Sequence, residues 1–218
     1  MADLYPAAPV DICNLALSEL KINPISSMDT GVNGEICSRH YDIIRISLLR
    51  NHIWNFAKTE AQLSRSSNGT SDAFDDVYPL PDTYIRLISV GDVFVDDLTY
   101  EFDLRSIEID GAFKKCLCMN NSGAATQDIT YIRNVQEVSE FDSLFIMLFK
   151  FELAKALAPS LTAKPSIMQR IESGRLQYEN AAKAVDSQER GPVRRNISKF
   201  LNARRYSHRS SSSITTTF

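Results

Sequence analysis

The spacing of apolar residues changes twice along this 218-residue chain, and this change constrains the fold more than any other feature. Up to about Ala57, and again from Phe141 onward, apolar residues recur every three or four positions, which predicts amphipathic or buried helices. From about Gln62 to Val135, short runs alternate apolar and polar residues between turn residues, which predicts antiparallel strands. The sequence therefore predicts an α+β protein whose helical part is interrupted by a β region.

Two helices are predicted before the β region and two after it. The first follows Pro9, a residue suited to a first helical turn. The second carries an apolar stripe between Cys37 and Leu48, with Arg45 expected on the opposite, polar side. The third, Phe141 to Leu157, is apolar almost all round and must be covered on most faces. These patterns predict a bundle of about four helices.

The ends of the later helices carry two further expectations. Pro159 is expected just past the end of the third helix, because proline removes a hydrogen bond from a helix interior. The fourth helix opens at Pro165 and presents Gly174 and Val185 on its apolar face. Gly174 is expected to let another backbone approach this helix closely.

The β region predicts a small antiparallel β-sandwich or open barrel of five or six strands. The strand-like runs are separated by pairs such as Asp110-Gly111, which favour tight turns. Tyr78-Pro79 opens a proline-containing stretch that is typical of a rigid extended segment or turn before a strand. We divide the chain into a helical part (1–62), an inserted β domain (63–135), a second helical part (136–188) and a basic, flexible C-terminal tail (189–218).

Composition is that of a soluble globular protein, with 44% hydrophobic and 23% charged residues. No apolar stretch approaches the length of a membrane span, and the N-terminus lacks the pattern of a secretory signal. We therefore expect folding in a cytoplasm, with no membrane partner and with reduced cysteines. The four cysteines are Cys13, Cys37, Cys116 and Cys118.

Metal and cofactor chemistry is not expected. Cys116 and Cys118 lie on the same face of a predicted strand, but one intervening residue is fewer than a metal knuckle normally has. None of the three histidines is spaced as a ligand pair. Both cysteines are therefore interpreted as core residues, with no cofactor and no metal site.

Clustered carboxylates leave an enzyme open as an alternative. Paired acids can serve a glycosidase, one as acid and one as base or nucleophile, although aspartates in loops are usually turn residues. The sequence contains no phosphate-binding loop or nucleophile elbow. We expect no enzyme, and the aspartates concerned are Asp72, Asp75, Asp76, Asp92, Asp96 and Asp97.

Charge is distributed unevenly. From Glu189 to the end there are seven basic residues and one acid, a net charge of +6, whereas the rest holds 17 basic and 26 acidic residues, a net charge of −9. Such a tail is predicted to be disordered in the free subunit and to act on a partner, either as a docking arm for a protein or as an arm for nucleic acid. The residues expected to bind are Arg194, Arg195, Ile197, Lys199, Phe200, Leu201, Arg204, Arg205 and Tyr206.

Several short motifs, in their order and spacing, resemble the podovirus tail tubular protein A family, the head-to-tail adaptors or connectors. They lie at residues 12–20, 24–29, 41–57, 78–86, 129–132 and 153–158. The family's Leu-Pro-x-Asp-x-x-Arg element is matched with one departure, since Asp82 directly follows Pro81. We call seven of these positions the motif residues: Trp54, Asn55, Phe56, Leu80, Pro81, Asp82 and Arg86.

The resemblance implies a structural role in a short-tailed bacteriophage. Members form a ring, typically of twelve subunits, between the portal protein and a tail nozzle of the tail tubular protein B type, and genomic DNA passes through it without sequence-specific binding. The expected location is the neck of the virion, after assembly in the host cytoplasm. Two alternatives stay open: a virion-associated peptidoglycan hydrolase, and a DNA-binding protein that acts through its basic tail.

Overall fold

The computed structural model describes residues 6–69, 71, 73–91, 93–95, 102–120, 123–161 and 164–189. The predicted tail residues from Arg190 onward, and Asp72, Asp92, Asp96 and Asp97, lie outside the described residues. The elements in chain order are α1 (Pro9–Glu19), α2 (Gly31–Asn51), β1 (Lys58–Ser64), β2 (Asp76–Pro79), β3 (Tyr84–Val90), β4 (Val93–Phe94), β5 (Phe102–Ile109), β6 (Ala112–Met119), β7 (Thr126–Arg133), α3 (Ser143–Leu161) and α4 (Pro165–Gln188).

The predicted α+β class is confirmed, with four helices and two antiparallel sheets in the described ranges. The first sheet has the strand order β1-β7-β3-β4, and the second has the order β2-β6-β5. All pairings are antiparallel. The described strands do not close either sheet into a barrel.

The first sheet lies between the helices and the second sheet. On one side, Ile85, Ile88 and Ile132 belong to the same apolar core as the helices. On the other side, Leu87 and Ile129 pack with residues of the second sheet. Side chains on a strand alternate between faces, and shifts of register between β3 and β7 adjust that alternation around Ile85 and Ile88. The first sheet therefore takes part in two cores, one shared with the helices and one shared with the second sheet.

Helix α3 is the centre of the helical layer and packs against α1, α2 and α4. Its buried residues, among them Phe145, Phe149 and Leu153, lie on most of its faces, as its sequence predicts. Pro159 lies inside α3, so the expected end before this residue is wrong. Leu157 and Ala158 are buried at this point, and we infer that their packing stabilises the last turn despite the hydrogen bond that proline removes.

The contact expected at Gly174 is also different. A Cβ atom at Gly174 would lie 2.5 Å from Cε1 of Phe151, so this glycine accommodates an aromatic ring of α3 rather than another backbone. The ring of Phe151 stacks on Tyr178 of α4, with 5.5 Å between the ring centroids. At the end of α4, Val185 is exposed and Asp186 takes the buried position.

Two strands were not predicted. β1 crosses the boundary that the sequence suggests at residues 62/63. β2 occupies the start of the proline-containing stretch at Tyr78-Pro79. β2 is an edge strand, where proline is tolerated because its missing N–H faces away from the ladder.

Candidate functional site

The chain turns sharply after α2, and Trp54 fixes this turn. Its indole Nε1 donates a hydrogen bond to the carbonyl oxygen of Leu48 at 2.8 Å, which satisfies one of the carbonyls left unpaired at a helix end. The indole ring is buried and meets Phe145 of α3 edge to face, with centroids 5.1 Å apart. Trp54 is thus a packing residue at the bend between α2 and the short turn Asn55–Ala57 that leads into β1.

Asp186 of α4 binds this turn. Its Oδ1 accepts a hydrogen bond from the backbone N–H of Asn55 at 2.7 Å, and its Oδ2 lies 2.9 Å from Nε2 of His52. The Asn55 side-chain amide donates in return to the backbone oxygen of Asp186 at 2.6 Å. Asp186 is only 8% exposed, so these bonds compensate for the removal of its carboxylate from water.

Arg50 and Arg86 connect the end of α2 to the start of β3. Nη1 of Arg50 donates to the carbonyl oxygen of Ile85 at 2.9 Å. Nη1 of Arg86 donates to the carbonyl oxygen of Arg50 at 3.3 Å. We use the term α2 joint for the residues that meet here: Arg50, His52, Trp54, Asn55, Phe56, Arg86 and Asp186.

The remaining motif residues lie just before β3 but outside the α2 joint. Leu80 is buried between the two sheets, and its N–H donates to the carbonyl oxygen of Lys115 at 2.9 Å. The carbonyl oxygen of Pro81 accepts a bond from Tyr84 N–H at 2.9 Å, which closes a tight turn. Asp82 is exposed in that turn and has no hydrogen-bond partner among the described residues. Four of the seven motif residues therefore belong to the α2 joint, and three lie outside it.

Arg45 makes a second connection between the helices and the sheet, and its expected place on the polar side of α2 is wrong. Its guanidinium is buried, and Nη1 donates to Oδ1 of Asn134 at 2.6 Å, just after β7. Asp42, one turn earlier, pairs with the same guanidinium at 2.9 Å. Arginine is suited to this buried position because its planar guanidinium can donate several hydrogen bonds at once.

Three of the residues considered as possible sites, Cys116, Cys118 and Asp76, are buried. Cys116 and Cys118 are free, buried and on one face of β6, as predicted, and burial raises the pKa of both thiols. Asp76 is fully buried and accepts from Nη1 of Arg65 at 2.9 Å and from Gly123 N–H at 3.0 Å. Over the described ranges, no group of three or more His, Cys, Asp or Glu is placed to hold a metal ion.

Sequence reasoning found Trp54 but missed Asp186 and His52. The available signal was the register of α4, where a carboxylate follows Ala182 by four positions on the buried side of the helix. The α2 joint connects α2, β3 and α4 by hydrogen bonds, most of which are buried or partly buried. Its described contacts position α4 against the end of α2.

Comparison with known proteins does not extend the resemblance. The sequence matches no protein-family model and no curated protein. Among the described helices, none combines the length and apolar character that crossing a membrane requires.

Proposed function

We propose that this chain is a structural subunit of a ring that joins the portal of a short-tailed bacteriophage to its tail nozzle. The observation that supports this most is the position of the motif residues. Arg86 is far in sequence from Trp54 and Asn55, yet all three contact or flank the same turn between the helices and the first sheet. Two motifs that the resemblance groups together, residues 54–56 and Arg86, therefore meet in space.

A rigid joint suits a ring subunit for a mechanical reason. Each subunit of a closed ring meets its neighbours through two different surfaces, and the ring closes only when the angle between those surfaces is constant. Arg45 and Asp186 fix that angle here, because each places a buried charge in hydrogen bonds that span two elements. The finer architecture that we propose is a four-helix bundle that forms the wall, with the paired sheets beside it.

Charge supports the separate roles of body and tail. The net charge of −9 before Glu189 is suited to a channel wall through which genomic DNA passes without being held. The basic segment from Arg190 onward carries apolar residues between its charges and is the part that we assign to the portal protein. Ring closure would then turn several weak tail–portal contacts into a stable assembly, since each bound subunit raises the effective concentration of the next contact.

The test is assembly with the portal protein from the same virus. We expect negative-stain images of the mixture to show rings stacked on portal particles. Deletion of residues 190–218 should leave a folded protein that no longer binds immobilised portal. A protein that stays as isolated copies with portal present, or that is absent from the neck of purified virions, contradicts the proposal.

Two assays separate the alternatives. Clearing of cell-wall substrate that depends on one carboxylate would favour a peptidoglycan hydrolase. Duplex binding by the full chain that weakens steeply with salt would favour a DNA-binding protein acting through the tail.

A further inference from the structure

One hairpin of the second sheet extends beyond its neighbouring strand. β5 and β6 pair along their whole length, from Phe102–Met119 to Ile109–Ala112, whereas β2 pairs only with Cys116–Met119. A two-residue turn, Asp110-Gly111, closes the hairpin with positive φ angles of 54° and 79°, as the tight turns of such hairpins require. The outer half of the hairpin is thus two strands wide in the described structure.

The two faces of this outer half differ. Ile107 and Ile109 lie on the face turned away from the first sheet, opposite to that of Leu117, and they pack with Val77 and Phe74. The other face, which we call the hairpin face, is open and presents alternating apolar and charged side chains. Its residues are Leu104, Ser106, Glu108, Phe113 and Lys115.

The hairpin face has the character of an interaction surface. Phe113 is 74% exposed, the largest exposed fraction of any large apolar side chain in the described structure. It lies directly opposite Glu108 and two positions from Lys115 on the same strand face. Neither charged side chain has an ion-pair partner among the described residues.

A matching surface lies on the first sheet. It is on the side that faces the helices, in a part that the described helices do not cover. It is a groove of about 610 Å³ with an apolar floor that includes Ile88 and the partly exposed Phe94. Lys58 and Glu60 of β1 line one side, and Asp128 of β7 stands next to them. Lys58 and Glu60 likewise have no ion-pair partner in the part of the chain that the structure describes.

We propose that the hairpin face of one subunit docks in this groove of the next copy of the same chain. Phe113 covers the apolar floor, Lys115 pairs with Glu60, and Glu108 pairs with Lys58. Each unpaired charge on one surface thereby meets an opposite charge on the other. This inference rests on the proposed ring and names one of its subunit contacts.

The layer order makes the occupant a second copy. The groove lies on the helix-facing side of the first sheet, and the hairpin belongs to the second sheet on the opposite side. The first sheet therefore separates the two surfaces within one chain. A contact between two different surfaces of identical subunits repeats from copy to copy and closes into a ring when the rotation allows it.

A charge-swap experiment on the full chain tests the contact. K115E and E60K should each weaken self-association, measured by analytical ultracentrifugation, by about tenfold or more, because each places like charges together. The double variant K115E/E60K should recover most of that loss. K114E is the matched control: it makes the same charge change on the other face of the hairpin, and it should associate like the unchanged protein.

The outcomes separate this contact from the ring itself. If the unchanged protein forms rings and K115E forms them equally well, or if the double variant recovers nothing while each variant keeps its melting temperature, the contact is wrong and the ring stands. If K115E loses ring formation but a subunit still binds immobilised portal, both hold. If the unchanged protein forms no ring with or without portal, the proposed function fails and this contact fails with it.

Discussion

At the scale of single residues, the α2 joint depends on a carboxylate that is almost removed from water. Asp186 accepts a backbone N–H and contacts a histidine while it lies between α4 and the end of α2. Removing a buried acceptor costs more than the bond itself contributes, since its donor is left without a partner in a medium of low dielectric constant.

We expect Asp186→Ala to lower the free energy of unfolding by about 1–3 kcal/mol, because Asn55 N–H loses its acceptor. Urea unfolding followed by Trp54 fluorescence measures this directly, since Trp54 is the only tryptophan and lies beside the joint. Asp82→Ala is the control: this motif residue is exposed, and its replacement should change stability by less than about 0.5 kcal/mol. Equal effects from the two substitutions would show that Asp186 does not stabilise the joint.

The burial of a residue could be predicted from the sequence where its side chain strongly favours one environment, either the core or solvent. A lone tryptophan at a helix end is large and apolar enough to predict burial from its type alone. Arg45 and Asp186 are charged, and charged residues are mostly exposed, so their burial follows only from partners that lie far away in sequence. The partners of Arg45 include Asn134, and those of Asp186 include Asn55.

At the scale of elements, the α3–α4 pair is connected by ion pairs along its outer side. Glu172 lies 2.9 Å from both Arg175 and Lys155, and Arg175 also contacts Glu152 and Glu179. The Arg175 guanidinium and then the Lys155 ammonium lower the pKa of Glu172 to about 2. Glu172 is 41% exposed, so solvent reduces the stability that this shift represents.

This shift predicts a pH dependence with a definite sign. Above pH 4.5, the ordinary pKa, Glu172 is ionised in both the folded and unfolded chain, and its stabilisation is fully present. Between pH 4.5 and about 2 the unfolded chain binds the proton first, so stability falls as the pH falls. We expect the unfolding free energy of Glu172→Gln to fall less steeply over this range than that of the unchanged protein. Parallel slopes in urea unfolding at pH 5, 4 and 3 would contradict this assignment.

The strands show where period-based prediction works and where it stops. β3, β6 and β7 have apolar residues dense enough to be recognised, whereas β1 has a single fully buried side chain, Leu63. The sequence separates two runs, 100–104 and 107–109, where the structure has β5 over Phe102–Ile109. Arg105 and Ser106 interrupt the apolar pattern because both side chains are exposed, although Ile107 and Ile109 further along the same strand are buried.

At the scale of the whole molecule, the first sheet is the middle layer of the described structure. Its helix-facing side completes the helical core, and its other side completes the core with the second sheet. The sequence predicted a β region inserted into a helical one but not this sharing, because strand periodicity tells which residues are buried and not what covers them. Because the first sheet is buried on both sides, the layers are coupled, and loss of packing in one layer should lower the stability of the other.

Coupling of the layers predicts that damage in the second sheet shifts unfolding of the helices. Leu117 of β6 is fully buried between the sheets, and Leu117→Ala should cost about 2–5 kcal/mol because it leaves a cavity. If the layers unfold as one unit, the urea midpoint of Trp54 fluorescence, which reports the helical layer, moves by the same amount as the midpoint of circular dichroism.

Leu104→Ala is a matched control, since Leu104 is paired with Leu117 across the hairpin but is 43% exposed, and it should move neither midpoint by much. A Trp54 transition that stays in place while circular dichroism shows an earlier, separate loss of strand would mean that the sheets unfold independently. In that case the β region would be an autonomous insertion, and the rigidity that a ring subunit needs would depend on the α2 joint alone.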